Sequence, residues 1–274
     1  MTNPLVYIIV LTWNGKKDTL ECLGSLKELA YPNYRVLVVD NASVDGTAEQ
    51  VRSQFPNVEL IVNKDNFRFA RGNNVGIEYA LTKNADYILL LNNDTTVDKT
   101  FIDELVSTAE SDTKIGMVGP KMYYYSDPNR IWYAGGKIEW WKGWLSHIGV
   151  REIDNGQRSQ TKETDFISGC CILVSRAVVE KVGMLDTTYY IYGEDVDWCI
   201  RAFRAGYRLM FEPKAKIWHK LSVSTGGHLS WFKNWNKLKS QLQIMKRYAK
   251  WYCWFTIPVG NIYEVIKNFI KATN

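Results

Sequence analysis

Asn92-Asn93-Asp94 closes an apolar run, Tyr87-Ile88-Leu89-Leu90-Leu91, and sets two amides and a carboxylate at one point of the chain. A carboxylate there can hold a hard divalent cation that carries phosphates. The same residues also fit a turn capping a helix that begins near Val97, because Asn and Asp are favoured in both settings. Asp40 closes a second apolar run at 34–39 and opens Asp40-Asn41-Ala42-Ser43-Val44-Asp45-Gly46-Thr47. Its carboxylate can accept from a base N–H or a ribose hydroxyl, and the helix N-terminus behind it favours anions. Asp45 and Thr47 serve equally well as plain N-caps. In the polar loop at 65–74, the planar fork of Arg71 can pair with a phosphate or a base carbonyl, or remain a solvated surface group. Glu194-Asp195-Val196-Asp197 places three carboxylates at a helix start, where the helix dipole stabilises them. With Val196, Cys199, Ile200 and Phe203 as the buried stripe, these acids face the preceding loop and a cleft, where one could take a proton from a hydroxyl. His219 lies just past a strand and suits either a packed imidazole or a ligand.

The elements that must position these groups follow from hydrophobic period. Strands are predicted at 6–11, 34–39, 58–62 and 87–91, with amphipathic helices at 17–29, 47–55 and 70–83 between them. This β-α alternation predicts a parallel sheet with right-handed crossovers. Continuous apolar strands are those of a sheet covered on both faces. Their carboxyl ends carry Thr12-Trp13-Asn14, Asp40-Asn41, Asn63-Lys64-Asp65-Asn66 and Asn92-Asn93-Asp94. Polar groups therefore gather on one edge, where open α/β sheets bind ligands. From about 115 the pattern becomes mixed, with strands at 117–122, 137–140, 166–174 and 208–212. A helix is expected at 194–205 and an exposed polar loop at 151–163.

Composition narrows the classes. With 274 residues, 46% hydrophobic and 23% charged, the chain can bury a large core and shows no sign of disorder. A net charge of +5 suits an anionic ligand or membrane surface and does not call for nucleic acid. Residues 1–14 lack the pattern of a signal peptide, which points to the cytosol. Five cysteines, two of them adjacent, read as free buried thiols and not as a disulfide framework. No uncharged apolar run reaches the roughly 18 residues needed to span a bilayer.

The combination resembles the inverting nucleotide-sugar glycosyltransferases of family two, which have the GT-A fold. The carrying segments are Ile8-Ile9-Val10-Leu11-Thr12-Trp13-Asn14-Gly15, the run from Asp40 to Thr47, Asn66 to Gly76, Leu91-Asn92-Asn93-Asp94, Gly183-Met184-Leu185-Asp186, Tyr192-Gly193-Glu194-Asp195-Val196-Asp197 and His219. They follow family order over about residues 4 to 222 and are most similar to the bacterial rhamnosyltransferase-like enzymes of cell-surface polysaccharide assembly.

The resemblance implies a mixed central sheet flanked by helices, a GT-A domain over 1–225 and a helical extension over 226–274. Within the domain, 1–114 would bind the nucleotide and 115–225 the acceptor. Thr12 and Asp40 would contact base and ribose with Arg71 nearby, and Asn14, Asn41, Asn66, Asn74 and Asn93 would belong to the same donor site. Asp94 would bind Mg²⁺ or Mn²⁺ bridging the diphosphate, with His219 as second protein ligand. Asn92 stands where the family's DXD motif has its first acid, which removes one charge from the metal's surroundings. Asp195 would be the general base, and Gly169, Cys170 and Glu194 would face the acceptor.

The donor would be dTDP-L-rhamnose or a UDP-sugar, and the acceptor a saccharide or lipid-linked hydroxyl. The Gln-x-x-Arg-Trp motif and transmembrane helices of processive members are absent, so transfer of one sugar, or very few, is expected. Trp231, Trp235, Trp251, Tyr252, Trp254, Phe255 and Ile257 alternate with Lys233, Lys237, Lys239, Lys246, Arg247 and Lys250 near the C-terminus. Such a segment suits an anionic leaflet at the inner face of the membrane, packing on the catalytic domain, or a homodimer contact. Two rival functions are a nucleotidyltransferase of similar fold and a non-catalytic sugar-binding module.

Overall fold

A computed structural model of the chain describes residues 3–220 and 231–273. Its first half is the predicted alternation: β1 (Val6–Thr12), α1 (Lys16–Leu26), β2 (Tyr34–Asp40), α2 (Thr47–Gln54), β3 (Glu59–Val62), α3 (Arg68–Thr82) and β4 (Tyr87–Asn92). β5 (Thr95–Val97), α4 (Phe101–Glu110), β6 (Ile115–Tyr124) and β7 (Asp127–Tyr133) follow. A hairpin of β8 (Gly136–Glu139) and β9 (Trp144–His147) leads to β10 (Lys162–Glu163), β11 (Cys171–Ser175), α5 (Arg176–Val182), α6 (Glu194–Arg204) and β12 (Arg208–His219). Two helices, α7 (Trp231–Tyr248) and α8 (Cys253–Thr273), end the chain.

The main sheet runs β10-β12-β6-β11-β4-β1-β2-β3, with β5 paired to β12 and β7 to β6. β1, β2, β3 and β4 are mutually parallel, whereas β11 is antiparallel to both β4 and β6. The sheet is therefore mixed, with helices on both faces. On one face Leu23, Leu26, Phe101, Ile102 and Leu105 pack on Val6, Ile8 and Val10. On the other, Ile77, Ala80, Val178 and Trp198 pack with Tyr7, Ile9 and Leu90. α3 lies close on β1 because its contact face is small: a Cβ on Gly72 would stand 2.6 Å from Leu11, and one on Gly76 2.6 Å from Ile9.

Several expectations change. The helix expected near Val97 begins at Phe101, and Thr95–Val97 instead pairs antiparallel with the end of β12. Its β-branched residues favour a strand, and the start of α4 is ordered by Asp98, which accepts from the Thr100 backbone at 2.9 Å. The strand expected at 166–174 starts only at Cys171, because 168–170 form a turn. β12 extends to His219 and is twelve residues long, and the polar stretch at 151–163 ends by pairing Lys162 and Glu163 with β12. Phe203, expected in the buried stripe of α6, is exposed, and Trp198 and Ala202 are buried in its place. The domain boundary expected at 225 falls in 221–230, outside the described residues.

α7 is attached to α6 by a buried charge cluster. Asp197, with 1% of its side chain exposed, accepts from Arg201 at 2.8 Å, Arg247 at 3.2 Å, Tyr189 at 3.2 Å and Tyr248 at 2.5 Å. Arg247 also pairs with Asp186. Removing the one carboxylate takes a shared acceptor from two cations and two hydroxyls, although Arg247 keeps Asp186 and Arg201 keeps the carbonyls of Val182 and Met184. Asp197→Ala is expected to lower stability by about 3 kcal/mol in urea unfolding. A loss below about 1 kcal/mol would show that this cluster contributes little to holding α7.

Candidate active site

Three loops at the carboxyl edge of β1, β2 and β4 form one wall. Asn14 ties the first to the second: its backbone N–H donates to Ser43 Oγ at 2.8 Å and its Oδ1 accepts from Val44 at 2.8 Å. The Lys16 N–H donates to Asp45 at 3.0 Å, and Asp45 also accepts from the Thr47 N–H at 3.1 Å; the N-cap of α2 is Gly46, so neither Asp45 nor Thr47 holds the N-cap position expected for it. Asp40 is fully buried, with Oδ1 accepting from the Ser43 N–H at 2.7 Å and Oδ2 without a partner. A buried carboxylate oxygen left unpaired is costly, and a ligand donor at that point would relieve it.

The next layer is a chain of amides. Asn41 Nδ2 donates to Asn66 Oδ1 at 3.3 Å and to the Arg68 carbonyl at 3.1 Å, while its Oδ1 accepts from Asn63 at 2.8 Å. Arg71 is exposed, with its guanidinium 3.8 Å from the centre of the Phe67 ring. Asn74 sits apart: its amide donates to the Leu185 carbonyl at 2.8 Å and accepts from the Leu185 N–H at 3.1 Å. It braces α3 against the loop before α6.

Asn93 turns back toward β1, donating to Thr19 Oγ1 at 3.0 Å and to Thr12 Oγ1 at 3.3 Å. A Cβ on Gly15 would stand 2.4 Å from that amide, so glycine permits the approach. Asp94 projects differently. Its Oδ1 lies 3.1 Å from His219 Nε2, and both side chains are about nine-tenths buried. The antiparallel pairing of β5 with β12 creates this contact by setting His219 opposite Thr95. The Asp94 carbonyl also accepts from Lys220 N at 2.9 Å, and Lys220 Nζ pairs with Asp18 and Glu21 of α1.

A carboxylate oxygen and an imidazole nitrogen this close can share one divalent cation, a donor pair suited to Mn²⁺ or Mg²⁺. Among the described residues no third His, Cys, Asp or Glu joins them, so phosphate oxygens and water must supply the other positions. The buried His219 Nδ1 has no partner. The pair thus fits a metal that arrives with an anionic ligand.

β11 brings the opposite wall. Because it runs antiparallel beside β4, its leading turn lies at the carboxyl end of β4, where the Asn92 N–H donates to the Cys170 carbonyl at 2.9 Å. Cys170 is buried, and its thiol is pushed well above the ordinary value by burial and by Asp94 beside it. One residue earlier, the Gly169 N–H donates to Asp195 Oδ2 at 2.7 Å. Asp195 Oδ1 accepts from the Val196 N–H at 2.8 Å.

Burial raises the Asp195 carboxyl above the ordinary range, and the two amide donors offset part of that rise. Glu194 is pushed up to about 8 by burial and then by the charge of Asp195, and its Oε2 has no partner. Two adjacent buried acids do not ionise together easily. Glu194, desolvated and with one oxygen unpartnered, favours keeping its proton, whereas the two N–H donors favour the charge on Asp195.

Several neighbours carry no clear signal in the sequence. Thr19 shares a hydroxyl contact of 2.8 Å with Thr12. Arg68 stacks 3.6 Å from the centre of the Tyr190 ring, linking the start of α3 to the loop before α6. Trp132 stands edge-on to His219 at 4.6 Å and to His147 at 4.8 Å. Burial pushes His147 down to about 4, so it packs as a neutral ring. Their only signals were an aromatic cluster and a loop arginine, which many folds use for packing.

The chain is similar to known proteins in both sequence and fold. The sequence pattern described as "Glycosyl transferase family 2" matches residues 7–183. The dTDP-rhamnosyl transferase RfbF of Shigella flexneri is 27% identical over 228 residues, covering 80% of this chain and 70% of the relative. The N-acetylglucosaminyl-diphospho-decaprenol L-rhamnosyltransferase of Mycobacterium tuberculosis (strain ATCC 25618 / H37Rv) is 25% identical over 243 residues, covering 80% and 77%. Among solved structures, the mannosyltransferase PcManGT from Pyrobaculum calidifontis in complex with GDP-Man and Mn²⁺ has a TM-score of 0.67 at 18% identity, covering 96% of this chain and 74% of that one. GalNAc-T7 with UDP, GalNAc and Mn²⁺ has a TM-score of 0.64 at 14% identity, covering 85% and 47%. The central sheet is that of the GT-A fold.

The paired acids generate a pH prediction. Since folding favours the neutral Glu194 carboxyl, the stability tied to it is complete below the unfolded carboxyl value and is lost as pH rises toward about 8. Glu194→Gln removes that titration. Its melting temperature relative to the unsubstituted chain should climb between about pH 5 and about pH 8 and level off above. A pH-independent difference in calorimetry would mean that Glu194 is ionised throughout.

Proposed function

The chain belongs to glycosyl transferase family 2, and from that premise we propose an inverting enzyme that moves a single sugar from a nucleotide-diphospho-sugar to a hydroxyl of a saccharide or lipid-linked acceptor. One observation carries this reading: the Gly169–Cys170 turn holds Asp195 on one side and adjoins the Asp94–His219 pair on the other. Base and leaving group are thereby set across a single short turn.

Thr12, Asn14, Asp40, Asn41, Asn66 and Asn93 form the donor wall, with Arg71 at its exposed edge. The unpaired Asp40 Oδ2 suits the N3–H of thymine or uracil, or a ribose hydroxyl. That preference, with the names of the two rhamnosyltransferase relatives, supports dTDP-L-rhamnose or a UDP-sugar as donor. Mg²⁺ or Mn²⁺, held by Asp94 and His219, would neutralise the departing diphosphate.

Asp195 accepts the proton of the acceptor hydroxyl as that oxygen attacks the anomeric carbon from the face opposite the diphosphate. The new glycosidic bond forms as the sugar–phosphate bond breaks, and configuration inverts in one displacement. Gly169 and Val196 fix the carboxylate for this step, and neutral Glu194 leaves the charge on Asp195. The loop after β1 argues against a nucleotidyltransferase. Its Asn14 and Lys16 N–H groups are already committed to Ser43 and Asp45, so they do not form a phosphate cradle.

Asp195→Asn should lower kcat about a thousandfold while nucleotide affinity stays within about twofold. Asp94→Ala should weaken Mn²⁺-dependent binding of the nucleotide diphosphate about tenfold in calorimetric titration. Full transfer by the asparagine variant removes the base assignment, and equal binding with and without metal removes the metal role. In the unsubstituted enzyme the acid limb of kcat/KM should lie above the ordinary carboxyl range, because burial raises Asp195.

The second part of the reading concerns location. Phe255, Val259 and Ile262 of α8 are exposed at helical spacing, with Trp251 exposed just before the helix, and the Lys250 ammonium lies 5.9 Å from the centre of the Tyr252 ring. Aromatics flanked by lysines match an anionic leaflet, so the enzyme docks peripherally at the inner face of the membrane. No described helix is long and apolar enough to cross one. Trp251→Glu with Phe255→Glu should abolish co-sedimentation with vesicles containing phosphatidylglycerol. A stable dimer that ignores vesicles would assign the stripe to a second copy.

A further inference from the structure

Between α7 and the loop that leads into α6 lies a cavity of about 340 Å³, lined by Thr188, Tyr190, Trp235, Asn236, Lys239 and Gln243. Its floor is Ser240, whose hydroxyl donates to the Ile191 carbonyl at 3.1 Å. A Cβ on Gly193 would stand 3.1 Å from Ser240, so α7 touches the residue before Glu194 and Asp195. The cavity thus lies on the α7 side of Gly193, two residues along the chain from the proposed base, whose carboxylate faces Gly169.

Tyr190 also reaches the other wall, since its ring carries the Arg68 guanidinium. Arg68 follows Asn66 in the loop bonded to Asn41, so one aromatic side chain spans donor loop and cavity. The lining chemistry is specific in kind. Tyr190 and Trp235 are about half exposed, and around them stand an amide pair, two hydroxyls and one ammonium. Rings beside hydrogen-bonding groups suit a pyranose, which offers C–H groups on its face and hydroxyls at its rim. One lysine is too little charge for a diphosphate, and the polar lining is wrong for an acyl chain.

We propose that this cavity is a subsite for the acceptor's second sugar, the ring next to the one whose hydroxyl reacts. The ring stacks on Trp235, on the indole face now approached by the Lys239 ammonium at 5.2 Å, and that ammonium turns to the sugar hydroxyls. Gln243 is oriented by its 3.0 Å bond to Thr188. Acceptors with two or more sugars are then preferred over a single sugar. The proposal rests on the glycosyltransferase reading with Asp195 as base.

The test uses the full chain with Mn²⁺ and dTDP-L-rhamnose or UDP-glucose, and compares methyl monosaccharide acceptors with the matching disaccharides. Donor hydrolysis by water is measured in parallel. The unsubstituted enzyme should favour disaccharides, and Trp235→Ala should raise KM for them about tenfold while leaving monosaccharide KM and donor hydrolysis within about twofold. Trp235→Phe should restore most of the preference and shows that the fold is retained. An enzyme that gains nothing from the second ring overturns the subsite, as does a Trp235→Ala variant that loses both acceptors equally. Absence of both hydrolysis and transfer with either donor in the unsubstituted enzyme would instead count against the function itself.

Discussion

The antiparallel pairing of β11 with β4, carried on by the hydrogen bond from the Gly169 backbone to Asp195, joins the two halves of this molecule. Gly169 is placed by β11, which runs antiparallel between β4 and β6. Asp195 is placed by α6, whose buried side packs in the core on the opposite face of the sheet from α4. Were β11 parallel to β4, its leading turn would lie at the far end of the sheet and Asp195 would have no fixed partner near Asp94. The reversal of one strand thus brings a carboxylate from the second half to a ligand edge built by the first. Backbone donors suit this task, because an N–H fixed in a turn holds a carboxylate at no side-chain entropy cost.

The site is also where the fold leaves polar atoms unsatisfied. Among the described residues, four buried side-chain atoms lack partners, and three of them belong to Asp40, Glu194 and His219. The fourth, on Asp103, lies on α4 away from the cleft. Burying such atoms costs stability in the free protein. On the proposed reading a nucleoside at Asp40 and a metal with its diphosphate beside His219 return part of that cost on binding. Glu194 reduces its own share by keeping a proton.

The C-terminal helices take part in the same design. α7 contacts the segment that leads into Asp195 at Gly193, the loop before it at Ile191 and Thr188, and the carboxylate of Asp197. α8 in turn contacts the β8–β9 hairpin, where the Trp144 indole donates to Asn261 at 2.8 Å. The two helices are therefore anchored through Ser240, Arg247, Tyr248 and Asn261, while Trp231, Trp235, Trp251, Trp254 and Phe255 stay exposed. Of the alternatives read in the sequence, packing on the rest of the chain is seen at one face of these helices, and another face is left exposed.

The local sequence determined the β-α alternation, the polar strand ends, the acid-bearing helix and the kind of chemistry those groups can do. These signals lie within a few residues, since a strand covered on both faces must be apolar along its length and must end where polar groups begin. The tertiary structure alone decided which groups meet. Thr95–Val97 looked like a helix start because the preceding amides are good caps, yet pairing with β12 made it a strand and carried His219 to Asp94. Asn74 shares the composition of its loop neighbours, yet its amide is bonded on both sides to the backbone of Leu185 from the other half of the chain. Such outcomes depend on contacts between residues far apart in sequence, and no local pattern encodes the register of strands that meet only when the sheet assembles.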